Sequence, residues 1–210
     1  FGPYNDAGNH GFARTSHWQL GDIDINTDGI KVELIFEGDK CSSAWPYKFK
    51  VQQILMFSTS FSQQMLIENL SNKEFCFSNA LHSYFSVSNP ANIAIPDLNL
   101  TSFDDKIKQT KGCAAADVFS CTGPIDKIYH HNSSMTMFDK GFKRAIEIKK
   151  SNSAQWVLWN PGKDISAGMS DIHQQGEDEF VCLEAANTNW VTVPKGGRVS
   201  LSQEIQVYKL

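Results

Sequence analysis

Apolar residues along this chain recur at every second position, not at every third or fourth. Ile30, Val32, Leu34 and Phe36 alternate with Lys31, Glu33 and Glu37. Phe142, Arg144, Ile146 and Ile148 alternate with Lys143, Glu147 and Lys149. Near the C-terminus Val199, Leu201, Ile205 and Val207 take one side, and Arg198, Ser200, Ser202, Glu204 and Gln206 take the other. Side chains on a strand point alternately to its two faces, so the pattern predicts half-buried strands. Turn clusters separate them: Asn26-Thr27-Asp28-Gly29, Glu37-Gly38-Asp39, Asp139-Lys140-Gly141, Asn160-Pro161-Gly162 and Lys195-Gly196-Gly197. No amphipathic run exceeds two helical turns, and there is no internal repeat. About a dozen strands joined by short turns predict an all-β fold, a sandwich of large, mostly antiparallel sheets forming one domain over 1–210.

Composition narrows the class without changing that picture. A 210-residue chain with 41% hydrophobic and 20% charged residues reads as an ordinary globular protein with a sizeable core. The net charge of −4 argues against a nucleic-acid partner. The densest basic cluster (Lys140, Lys143, Arg144, Lys149 and Lys150) is broken by acids and apolar residues and reads as a solvated strand face. Five cysteines form no C-x-x-C pair, and their number is odd. That usage fits a reducing, cytoplasmic setting better than a disulfide framework. No apolar run approaches the roughly 18 residues that span a bilayer, so no membrane partner is expected. The opening Phe1-Gly2-Pro3-Tyr4 is turn-like and feeds directly into the richest motif region. We expect the domain to be incomplete at its N-terminus, lacking strands.

Two segments carry candidate chemistry. Ala80-Leu81-His82-Ser83-Tyr84-Phe85 and Glu179-Phe180-Val181-Cys182-Leu183-Glu184 each end an apolar run on a proton-transferring group. A histidine and a carboxylate fixed on a sheet can act as a general acid–base pair. Alternation puts His82 on the face of Cys76, Ser78 and Ala80, away from the phenylalanines; a lone strand histidine can equally be structural. Glu184 shares a face with Phe180 and Cys182. A carboxylate buried there costs several kcal/mol unless compensated, and burial raises its pKa toward the range of a general base. Satisfaction by backbone donors or an arginine is the other reading. If the pair is catalytic, one bound molecule touching both groups would set their polar atoms roughly 5–7 Å apart. Arg14, in His10-Gly11-Phe12-Ala13-Arg14, offers a planar fork of donors to a phosphate, or pairs with a structural acid. Asp126 and Asp171 are lesser acids near strand ends. His130 and His131 are adjacent and cannot chelate one metal from a strand, and no cysteine spacing suits zinc, so no metal is expected.

The order of several blocks resembles one family. His-Gly-Phe-Ala-Arg (10–14) with Trp18 is followed by Ala-Leu-His-Ser-Tyr-Phe (80–85) and Phe-Asp-Asp-Lys (103–106). Asp126-Lys127-Ile128-Tyr129, Trp-Asn-Pro-Gly (159–162) and Phe-Val-Cys-Leu-Glu (180–184) complete the series. Together they are similar to the glucose-6-phosphate 1-epimerase, or hexose-6-phosphate mutarotase, branch of the aldose 1-epimerase superfamily. The resemblance implies a galactose mutarotase-like β-supersandwich. It also implies an isomerase that interconverts the anomers of a hexose 6-phosphate without a cofactor, with Glu184 as base and His82 as acid. Asp126 would hold sugar hydroxyls and Arg14 the phosphate. His10 and Asn9 would join the substrate-binding residues, Asn9 standing where the family often has the longer Gln. The implied partner is a small sugar phosphate bound by a monomer. Family members carry a preceding segment with an Arg-Gly-Gly motif that helps grip phosphate, and it is not found here. An epimerase of unphosphorylated aldoses and a non-catalytic phosphosugar-binding module are the alternatives; the former usually has a second site histidine on a motif this chain lacks.

Overall fold

The computed structural model describes residues 10–115 and 120–210. Among them fifteen strands assemble into two large antiparallel sheets, of eight and of seven strands. The chain divides into two compact units: one runs to Asn79 and takes up Asn187–Glu204, and the other is Ala80–Ala186 with Ile205–Leu210.

The first unit is built on β1 (Gln19–Asn26), β2 (Gly29–Asp39), β3 (Lys48–Phe57) and β4 (Phe61–Asn69), paired antiparallel in that order. The predicted alternation sets the register. Phe36 stands opposite Val51, and Val51 opposite Ile67, so one face becomes a row of buried apolar side chains. Phe12, Trp18, Trp45, Phe49 and Phe75 pack edge-on or tilted around Phe36 and each other, with ring centroids 4.8–6.3 Å apart. Strand β5 (Phe75–Leu81) begins beside this cluster.

The second unit contains β6 (Tyr84–Ser86), β7 (Ile93–Ala94), β8 (Ser102–Asp105), β9 (Thr110–Cys113) and β10 (Ile125–Tyr129). It continues with β11 (Met135–Asp139), β12 (Arg144–Ser151) and β13 (Gln155–Asn160). A five-residue helix, α1 (Gly162–Ser166), leads toward β14 (Phe180–Val193), and β15 (Arg198–Lys209) closes the chain. Within the unit β14, β13, β10, β8 and β9 pair in that order, β6 pairs with β14, and β12, β11 and β7 form a second ladder. Strand β13 sits between two neighbours and is buried almost throughout, which its run Gln-Trp-Val-Leu-Trp-Asn requires. Burying Trp156, Val157, Leu158, Val181 and Leu183 contributes roughly 1.5–3 kcal/mol for each large side chain.

Several local readings are corrected. Ile30 and Val207 keep their apolar neighbours' face but are exposed near strand ends, and Phe142 is exposed in the turn before β12. The basic cluster is not wholly solvated. The Lys150 ammonium donates to the carbonyls of His131 and Gln155 and lies 4.4 Å from the Trp156 ring. Arg144 turns onto the fully buried Asp139 carboxylate, 3.5 Å away, and onto the carbonyl of Ser86. Gln203, on the apolar side of β15, is buried and donates to Gln63, which donates to Gln53. Among the described residues no helix is long and apolar enough to cross a membrane.

Candidate active site

Residues directly opposite one another in a sheet share a face, so the register shows what stands beside Glu184. Val157 is opposite Glu184, and Ile128 is opposite Val157. One pair along, Trp159 stands opposite both Cys182 and Asp126. Tyr84 of β6 is opposite Cys182. Glu184, Cys182, Trp159, Asp126 and Tyr84 therefore rise from one face of one sheet.

His82 follows the last residue of β5, where a Ser83 N–H to Leu81 carbonyl bond of 2.9 Å tightens the chain before β6. Its Nε2 lies 3.3 Å from Oε1 of Glu184. This is closer than the roughly 5–7 Å expected for two groups touching one bound molecule. The imidazole is boxed in by rings: Tyr84 is stacked on it at 5.0 Å, and Trp159 meets it edge-on at 6.2 Å.

Glu184 is 1% exposed. Its other oxygen, Oε2, is buried and has no hydrogen-bond partner. Burial, reinforced by the negative charge of Asp126, pushes the carboxyl up to about 8. Asp126 is itself raised, by burial first and by Asp105, against the pull of the Lys106 ammonium. Cys182, beside them on β14, is driven far up by burial and by Glu184, so its thiol stays neutral. The arrangement presents a neutral-range carboxyl in contact with an imidazole, one unfilled acceptor, and aromatic walls from Trp159, Phe180 and Tyr84. It can move one proton onto and another off a neutral polar molecule.

The turn after β13 fixes Trp159 and the start of β14 together. Asn160, fully buried, donates to the carbonyls of Glu177 and Phe180 and accepts from the N–H of Gly162. Gly162 has φ +64°, and a Cβ there would lie 2.5 Å from the nitrogen of Pro124. The Asn-Pro-Gly order of the sequence follows from those two needs.

His10 and Arg14 lie in the first unit. Arg14 is exposed on a 3₁₀ turn, Ala13–Thr15, which is held by the Trp18 indole donating to the carbonyl of Ala13 at 2.9 Å. Burial lowers the pKa of His10, and the Arg14 charge lowers it further, so the imidazole is biased to neutrality. Asn9 lies outside the described residues. Asp171 is exposed in a turn and takes no place on the Glu184 face. Among the described residues no group of three His, Cys, Asp or Glu stands close enough to hold a metal ion. The site residue that sequence reasoning passed over is Tyr84, the first residue of β6, two positions after His82.

Comparisons with known proteins identify the family and the fold. The family model described as "Aldose 1-epimerase" matches residues 1–206. A protein of Escherichia coli K12 named "Putative glucose-6-phosphate 1-epimerase" is 29% identical over 217 residues, covering 100% of this chain and 71% of that protein. One of the same name from Salmonella typhimurium is 28% identical, covering 93% of this chain and 65% of its own length. The chain thus spans about two thirds of the length of these relatives. The crystal structure of a "putative mutarotase (YeaD)" from Salmonella typhimurium superposes with a TM-score of 0.89 at 26% identity, over 100% of this chain and 72% of that one. With a sheet architecture shared with a mutarotase and a family match along nearly its whole length, the chain belongs to the aldose 1-epimerase family.

Proposed function

We propose that the protein interconverts the α and β anomers of a hexose 6-phosphate, glucose 6-phosphate foremost, by acid–base ring opening and closure. The observation that carries this reading is the buried Glu184 carboxyl, with one oxygen on His82 and the other unpartnered. At neutral pH a carboxyl pushed up to about 8 gives up its proton readily, and the imidazole 3.3 Å away can receive it. With that proton on His82, Glu184 takes the proton of the C1 hydroxyl while His82 delivers its own to the ring oxygen. The C1–O5 bond breaks and C1 becomes an aldehyde. Rotation about C1–C2 presents the other face, and closure runs the transfers in reverse. Protons and electrons balance with no further reactant. Groups tuned near the working pH serve both directions, which a nearly thermoneutral reaction requires.

Trp159 offers an apolar surface to the C–H faces of a pyranose, and Asp126 offers acceptors to its hydroxyls. The phosphate is supported by the names of the relatives. The test is NMR exchange spectroscopy between the anomers of glucose 6-phosphate and, separately, of glucose, with and without protein. Faster exchange of the phosphorylated sugar is expected. Equal acceleration of both sugars would assign the protein to unphosphorylated aldoses, and binding without acceleration would make it a phosphosugar-binding module.

A further inference from the structure

The acid–base reading gives His82 a role that its position alone does not secure. Its imidazole follows the end of a strand and is about a third exposed, and the second side-chain torsion of histidine is broad. Its ring plane has to be fixed by neighbours if Nε2 is to stay on Glu184.

We propose that Tyr84 is the positioning residue for His82: its ring lies flat on the imidazole and holds Nε2 toward the Glu184 carboxyl. The two rings are 5.0 Å apart between centroids and within 12° of parallel. Tyr84 is itself clamped from two directions, by Trp159 edge-on at 6.2 Å and by Phe180 tilted at 5.2 Å. Its backbone is tied to Cys182 of β14, two residues from Glu184, so the clamp and the carboxylate share one strand pair. Yet Tyr84 is 58% exposed, a poor position for an aromatic ring that serves only the core. Burial does not account for a large ring there, whereas orienting the imidazole does. An error of about 1 Å in a catalytic group can cost on the order of a hundredfold in rate, so even partial loosening is measurable.

This inference rests on the acid–base reading for its rate arm, but not for its spectroscopic arm. The experiment compares wild type, Tyr84→Ala and Tyr84→Phe. In the substrate-free protein, the ring current of Tyr84 should hold the His82 ring protons upfield. Tyr84→Ala should move them downfield, and Tyr84→Phe should leave them near their wild-type positions. In the exchange assay Tyr84→Ala should lower kcat about tenfold with KM little changed, and Tyr84→Phe should recover most of that loss. The proposal is overturned if the His82 signals do not move in Tyr84→Ala. It is equally overturned if KM rises while kcat holds, which would give the ring to the sugar, or if Tyr84→Phe fails as Tyr84→Ala does. A wild type that accelerates neither sugar would defeat the proposed function, leaving the imidazole shifts to decide the stacking.

Discussion

Among the described residues Glu184 has no hydrogen-bond partner on Oε2, and it has an acidic neighbour in Asp126. Such a group works against folding at the pH where it is useful. Its carboxyl binds a proton more tightly folded, near 8, than unfolded, near 4.5. Between those values the folded chain holds the extra proton, so stability falls as pH rises through the window and is lowest above about 8. Replacing it with a neutral side chain of the same shape removes that cost. Glu184→Gln should melt higher than wild type at pH 8.5, by several degrees for an effect on the order of a few kcal/mol, and much less so at pH 4.5. An equal shift at both pH values would show that ionisation is not the cause. At this scale the sequence was informative about where side chains stand. Period-two alternation placed Glu184 with Phe180 and Cys182, and His82 at the end of its run. Their 3.3 Å contact and the Tyr84 stack were not legible, because they depend on the pairing of strands a hundred residues apart.

At the level of elements, the turn signals did most of the work. Asn160-Pro161-Gly162 reads as a chain reversal from composition alone, but the span of its amide does not. Asn160 ties the end of β13 to the first residue of β14, and through it fixes Trp159 relative to Phe180. Asn160→Ala would strand two carbonyls and one N–H in a buried site. We expect a loss of roughly 2–4 kcal/mol in denaturant unfolding, with a lower exchange rate in the folded variant. A stability loss under about 1 kcal/mol would mean that the turn holds without the amide. Gln203 and Lys150 show where pattern reading stops. Each is polar by composition yet turned inward, and each donates to partners outside its own strand, Gln203 to Gln63 and Lys150 to the carbonyls of His131 and Gln155.

Across the whole molecule, the all-β class followed from one property, the two-residue period, and the family from six blocks in a fixed order. Neither required knowing which strands pair. The division into two units was not legible, since it assigns Asn187–Glu204 to the unit of the first strands and Ile205–Leu210 to the other within a single strand, β15. Composition contains no mark of such a crossing. The family match, the fold and the Glu184–His82 contact meet in one claim, that this pair moves the protons of anomer exchange. Its most direct test is the exchange rate of glucose 6-phosphate anomers measured from pH 5 to 10 for wild type and Glu184→Gln. The account predicts a wild-type rate that falls above about pH 8, as the pair loses its proton, and a variant slower by about a hundredfold or more at neutral pH. A variant that keeps the wild-type rate, while folded, would contradict it.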